Sequence, residues 1–404
     1  ARAGFSQAQH IGAALQVWWG ANYYCDTLPP DMAWVVWDKE RIESYPTYLK
    51  ACGFNSVQVM ELITYDASAK VWHGGYRGGL PKGKSIPDVQ NALYTLADAA
   101  HAQGMTVSQY IWGSPADGCK WADPKTRPAR EEFYRELARR YGAKVDHIIT
   151  HWVDEGHEGG FETPLSATMF MWNEYKKQNP DVKVTCDSWF NAGIYAGIGD
   201  ETHASRDVGI AIERWYDAAR AKQIMAAGRK VGIWGWYLSD FEMTYGSHLY
   251  TKTLNTYFSA LPDKAGEEVD WISSELCFHA LPSRVNLYVV GRKMWEPRAA
   301  LADVMLDYCR AMYGPANARI LRTAYETVEE GQAEVRYGMV QDDRYPVVLG
   351  TLEFREKAQQ ALKALQAVRL PPKWQPNFTV VSSPQQDIDA IRTSLAEFIN
   401  HPVK

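Results

Sequence analysis

The 404-residue chain contains no run of about 18 apolar residues, the minimum for a membrane-spanning helix. Even the apolar stretch Val231 to Leu238 is broken by glycines and stops at Ser239 and Asp240. No membrane span is therefore expected. An excess of basic charge is also missing. Lys and Arg number 43 against 48 Asp and Glu, a net charge of −5, which argues against nucleic acid as a partner. The six cysteines, Cys25, Cys52, Cys119, Cys186, Cys277 and Cys309, show no CxxC spacing, so a zinc or redox motif is absent. No G-x-G-x-x-G follows the first strand candidate, and the P-loop and G-x-S-x-G patterns do not occur. Dinucleotide, nucleotide and serine-nucleophile chemistry thus lose their sequence support, and no cofactor is expected. No repeat of 20–50 residues is visible either.

What is present is an ordinary globular composition, 46% hydrophobic and 23% charged, with an unusual aromatic share. Its 16 Trp, 23 Tyr and 12 Phe make 13% of the chain. Trp and Tyr join a large apolar face to a polar tip, which suits wet concave surfaces as well as cores. A carbohydrate partner is the reading this favours, because C–H faces of sugar rings lie well on indole. The chain begins Ala1-Arg2-Ala3 with no initiator Met, which leads us to expect a removed leader and a secreted or periplasmic protein.

From the N-terminus to about residue 280, short apolar runs alternate with amphipathic stretches, the pattern of parallel strands between helices. The strand candidates are Ala14–Trp19, Phe54–Met60, Thr106–Trp112, His147–Val153, Val182–Ser188, Val208–Ile212, Val231–Tyr237 and Asp270–Glu275. Eight strands predict an α/β fold of the closed (β/α)8 TIM barrel type rather than a doubly wound sheet of five or six. Beyond residue 286 the period is helical, over Ala299–Met312, Ala316–Tyr337, Leu349–Val368 and Pro384–Ile399. The first of these is expected to be the eighth barrel helix. The reading is thus a barrel over 1–314 and a C-terminal helical extension over 315–404.

Reactive groups of such a barrel come from the C-terminal ends of its strands. There the sequence places Trp18, Trp19, Trp112, Asp154, Glu155, Asp187, Asp240, Glu242 and Glu275, carboxylates beside aromatics. That set suits a carbohydrate-cleaving cleft better than a phosphate site. The sharpest segment is His147–Gly156, an apolar strand running into Asp154 and Glu155. Adjacent carboxylates near an indole cannot both ionise freely, so one can keep a proton and act as general acid. An N-cap or surface ion pair is the plain alternative for that pair. Within Val231–Glu242, glycines alternate with Trp ahead of Trp236, Tyr237, Asp240 and Glu242. The glycines leave room either for a ligand or for bulky neighbours. His151, His157 and Glu158 lack metal-ligand spacing, so no metal is expected and His151 reads as a hydrogen-bonding group.

The strand order, the Asp154-Glu155 pair and the run Asn286–Pro297, with its Trp295-Glu296-Pro297 turn leading to Tyr313-Gly314-Pro315, resemble the barrels of β-N-acetylhexosaminidases, α-glucuronidases and related glycoside hydrolases. The likeness spans about residues 10 to 330. The hexosaminidase side of it implies Asp154 as orienter of a substrate acetamido group and Glu155 as acid. The hexosaminidase form His-x-Gly-Gly-Asp-Glu reads His151-Trp152-Val153-Asp154-Glu155 here. The α-glucuronidase side implies Glu155 as acid with water activated by Asp240 or Glu242, giving inversion, and the missing glycines favour it. Trp18, Trp19, Trp112, His151, Asp187, Trp236, Tyr237 and Glu275 are expected to bind the glycan. A carbohydrate-binding barrel without chemistry and a polysaccharide lyase are the competing classes.

Overall fold

The computed structural model describes residues 10–14, 39–60, 63–66, 71–74, 85–112, 121–151, 162–187, 192–214, 216–235, 249–262, 268–274, 281–332, 335–336, 339–340, 346–370 and 383–403. Eight strands, β1 (His10–Ala14), β2 (Ser56–Met60), β3 (Thr106–Trp112), β4 (His147–His151), β5 (Lys183–Asp187), β6 (Gly209–Arg214), β7 (Val231–Gly235) and β8 (Val269–Ser274), are all parallel to their neighbours. They pair in sequence order, and Gly12 of β1 is the register partner of both Ser56 and Ser273, which closes the ring. Each strand is followed by a helix: α1 (Lys39–Cys52), α2 (Ile86–Ala102), α3 (Arg127–Tyr141), α4 (Glu162–Lys176), α5 (Ala192–Ala196), α6 (Ala218–Ala226), α7 (Thr251–Ser259) and α8 (Leu281–Trp295). This is a TIM-like α/β fold.

Local chemistry sets the helix boundaries. At the start of α2, Asp88 N donates to Ser85 Oγ at 3.4 Å while Ser85 N donates to Asp88 Oδ2 at 2.7 Å, a reciprocal cap strengthened by Pro87 in the first turn. Along the strands, alternate residues turn inward and outward. Outward, Gln109 accepts from Tyr175 of α4 at 2.7 Å and Thr150 meets Thr168 of the same helix at 2.7 Å. Inward, Tyr110 stacks on Trp234 at 4.1 Å, Trp234 lies parallel to Trp271 at 6.3 Å, and His147 Nε2 bonds Thr185 Oγ1 at 2.8 Å. The barrel interior is therefore filled, with an aromatic stack at its centre.

Two expectations need correction. The first strand is described over His10–Ala14, and residues 15–19 of the expected strand Ala14–Trp19 lie outside the described residues. The eighth helix is α8, Leu281–Trp295, rather than the segment at 299–312. Its apolar Val285–Val290 run masked its helical period. The helix expected over 316–337 stops at Gly331, after which 335–336 and 339–340 form an antiparallel ladder.

Beyond α8 lie α9 (Leu301–Tyr313), α10 (Ala318–Gly331), α11 (Leu352–Leu365) and α12 (Pro384–Asn400). Their shared core holds Phe354 against Phe398 at 5.9 Å and the fully buried Tyr313, whose hydroxyl meets Tyr325 at 2.5 Å and Asp387 at 3.2 Å. The Asn286–Pro297 run serves packing. Trp295 Nε1 donates to Gly53 O at 2.5 Å, the buried Lys293 donates to Pro297 O at 3.0 Å, and Asn286 Oδ1 accepts from Tyr250 N at 3.2 Å. A Cβ on Gly291 would stand 2.0 Å from Cys52 O, so only glycine lets α8 approach α1 this closely.

Candidate active site at the C-terminal ends of the strands

Strands β3 to β6 end side by side. Trp112, last in β3, is the register partner of His151, last in β4; Thr150 partners Cys186; and Asp187, last in β5, partners Ala211. Of the expected site residues, these three strand ends are described, and the structure brings them to adjacent strands on one rim. Asp187 is fully buried. A carboxylate there needs hydrogen-bond or charge partners, which suits a group held in one orientation beside a substrate.

The remaining expected residues lie outside the described residues: Trp18 and Trp19 within 15–38, Asp154 and Glu155 within 152–161, Trp236, Tyr237, Asp240 and Glu242 within 236–248, and Glu275 within 275–280. Chain order still fixes which connection carries each. Asp154 and Glu155 follow the end of β4 by three and four residues, and Asp240 and Glu242 follow β7 by five and seven. All therefore belong to connections that leave the C-terminal rim, where barrel enzymes carry their chemistry.

The far end of the 236–248 connection is held by the C-terminal extension. Leu249 N donates to Gln332 Oε1 at 2.8 Å, Lys252 N to Glu329 Oε1 at 2.8 Å, and Thr251 Oγ1 to Glu329 Oε2 at 2.6 Å. These acceptors take up donors at the start of α7 that the helix cannot satisfy itself. Burial pushes the Glu329 carboxyl above its ordinary range, although the bonds from Lys252 and Thr251 pull the other way. Sequence reading passed over Glu329 and Gln332, since nothing local marks an acceptor for a helix some eighty residues away.

Cys186 is no nucleophile. It faces α4, with Thr168 and Thr150 as hydrogen-bond partners, and burial pushes its thiol up to about 12, so it stays protonated at neutral pH. Cys52, Cys186 and Cys309 are buried. Among the described residues no group of three His, Cys, Asp or Glu could hold a metal ion, and no helix is long and apolar enough to cross a membrane.

One pair of inward residues decides a question the sequence left open. The Cβ of an alanine at 232 would lie 2.6 Å from Trp271 Cε3, so the room left by Gly232 is filled by the indole of Trp271. That glycine accommodates a bulky neighbour rather than a ligand.

No protein-family description and no curated protein matches the chain. Solved structures do. A GH138 enzyme targeting pectin rhamnogalacturonan II superposes with a TM-score of 0.59 at 10% identity, covering 98% of this chain and 71% of the other. A mutant O-GlcNAc hydrolase of Thermobaculum terrenum gives 0.56 at 11% identity, covering 90% and 78%. CpGH84B gives 0.56 at 11% identity, covering 97% and 67%. The chain thus shares its fold with glycoside hydrolase barrels, as the resemblance in its sequence implied.

Proposed function

We propose that the protein is a glycoside hydrolase acting on a polysaccharide or glycan chain, with Glu155 as general acid. The observation that carries this reading is the rim itself. The connection bearing Asp154 and Glu155 leaves β4 directly after His151, between the ends of the strands that carry Trp112 and Asp187. The shared fold with carbohydrate-active barrels supports it.

In this reading Glu155 gives its proton to the glycosidic oxygen as the bond to the anomeric carbon breaks. Asp240 or Glu242 takes a proton from water, which attacks the same carbon from the opposite face. The anomeric configuration inverts, and a free reducing sugar and an alcohol leave. Trp18, Trp19, Trp112, Trp236 and Tyr237 supply sugar platforms, and His151, Asp187 and Glu275 bind hydroxyls. A secreted or periplasmic location follows from the same proposal, because polymeric glycans are met there.

The likeness to an O-GlcNAc hydrolase favours one further reading, in which the substrate carries an N-acetyl group, Asp154 orients it, and its oxygen attacks in place of water. Screening a glycan panel and following the product anomer by proton NMR separates the two. Inversion on neutral or uronic glycans supports water activation, and retention on an N-acetylhexosaminide supports acetamido assistance. An unsaturated, ultraviolet-absorbing product would identify a lyase, and binding without cleavage a carbohydrate-binding barrel.

A further inference from the structure

Helix α7 begins without a cap of its own. Tyr250, the residue just before its first turn, makes no side-chain bond to the helix amides, although those amides need acceptors that the helix cannot supply. The acceptors come from elsewhere. Leu249 N donates to Gln332 just beyond α10, Tyr250 N to Asn286 of α8, and Lys252 N and the Thr251 hydroxyl to the two carboxylate oxygens of Glu329 on α10. Leu249, Tyr250 and Thr251 are themselves buried. A local Ser or Asp cap stabilises a helix start wherever that helix points. Acceptors borrowed from two other helices also fix where the start lies. The place so fixed is one end of a connection: residues 236–248 leave β7 at Gly235, which pairs with Arg214 on one side and Ser274 on the other, and lead into Leu249. The barrel holds the near end and the remote cap holds the far end. Asp240 and Glu242 lie between the two holds.

We infer that Glu329 and Gln332 are positioning residues for hydrolysis, through which the C-terminal extension sets the placement of the carboxylate that activates water. The inference rests on the hydrolase reading and gives the extension a part in turnover as well as in stability. Both residues act through the backbone of residues 249–252. A misplacement of about 1 Å at a reacting group can cost about 10²-fold in rate, so loosening one of two holds is expected to be felt in kcat.

The test is a double-mutant cycle on glycan turnover, with amide hydrogen exchange alongside. Gln332→Leu removes the acceptor from Leu249 N, and Gln332→Glu keeps one. Each is made in wild type and in whichever of Asp240→Asn and Glu242→Gln loses turnover. The values of kcat and KM are measured per folded molecule on the panel glycan that wild type cleaves fastest. Gln332→Leu is expected to lower kcat at least tenfold with KM within about threefold and to speed exchange over residues 236–252. Once the water-activating carboxylate is gone it should cost less than about threefold, because nothing is left to position. Gln332→Glu should restore most of kcat. A purely structural role would cost the same factor in both backgrounds. That result, or an unchanged kcat in Gln332→Leu, would overturn the inference and leave the hydrolase reading intact. Should Gln332→Leu fail to fold, Thr251→Val, which deletes only the hydroxyl bond to Glu329, decides in the same cycle. No turnover in wild type, or full turnover in both carboxylate variants, would overturn the reading and the inference together.

Discussion

Trp271 of β8 lies against Gly232 of β7 inside the barrel, and a Cβ at position 232 would come within 2.6 Å of its Cε3. The indole cannot easily retreat, because it is fixed by Trp234 on one side and His147 on the other. Gly232→Ala is therefore expected to cost about 1–3 kcal/mol, the usual range for overpacking. Adding Trp271→Phe should recover part of that loss. Additive costs in the double mutant, measured by denaturant unfolding, would show that the two residues are not coupled.

Arg229 is buried and donates to five carbonyls: Nε to Ile198 O at 2.6 Å, Nη1 to Ser205 O at 2.5 Å and Val208 O at 3.2 Å, and Nη2 to Asp200 O at 3.3 Å and Ala204 O at 3.1 Å. One guanidinium thus organises residues 198–208 ahead of β6. Arg229→Lys cannot reproduce the planar fork and should destabilise the protein by about 3 kcal/mol or more, since several buried acceptors lose their donors. A change within about 0.5 kcal/mol would contradict this account.

Glu329 gives a pH dependence with a definite sign. Burial raises its carboxyl above the ordinary value, so the folded state binds that proton more tightly than the unfolded chain does. The stability it contributes is complete below the unfolded value of about 4.3 and is lost as pH rises through the folded value. Glu329→Gln should flatten the fall in melting temperature as pH rises above about 4.3. An identical slope in the variant would remove Glu329 as its source.

The helical and strand periods made most of the barrel legible. The strand starting at Thr106 stands where the run of apolar residues places it. The start of the first strand was not legible, because His10–Ala14 holds only one large apolar residue, Ile11, and pairs with β2 and β8. The eighth helix was hidden for the opposite reason. Every residue from Val285 to Gly291 is buried, so this stretch lacks the polar stripe that marks a helix. Of the candidate site, the strand-end positions of Trp112, His151 and Asp187 could be read from local sequence. The acceptors at Glu329 and Gln332 could not, being set by tertiary packing alone.

The proposed sugar platforms are open to direct test. Replacing Trp18, Trp19, Trp112 and Trp236 singly with Ala should weaken oligosaccharide binding for at least two of them while the melting temperature holds. A stability loss of about 3–5 kcal/mol at every position would mark them as core residues instead.

The proposal as a whole depends most directly on turnover by Glu155→Gln with a glycan whose leaving group is poor. General acid catalysis is worth about 10²–10⁴-fold, so turnover should fall at least a hundredfold with substrate affinity largely intact. Near-normal turnover in that variant, or a loss of affinity without a loss of rate, would contradict the assignment of Glu155 as the acid.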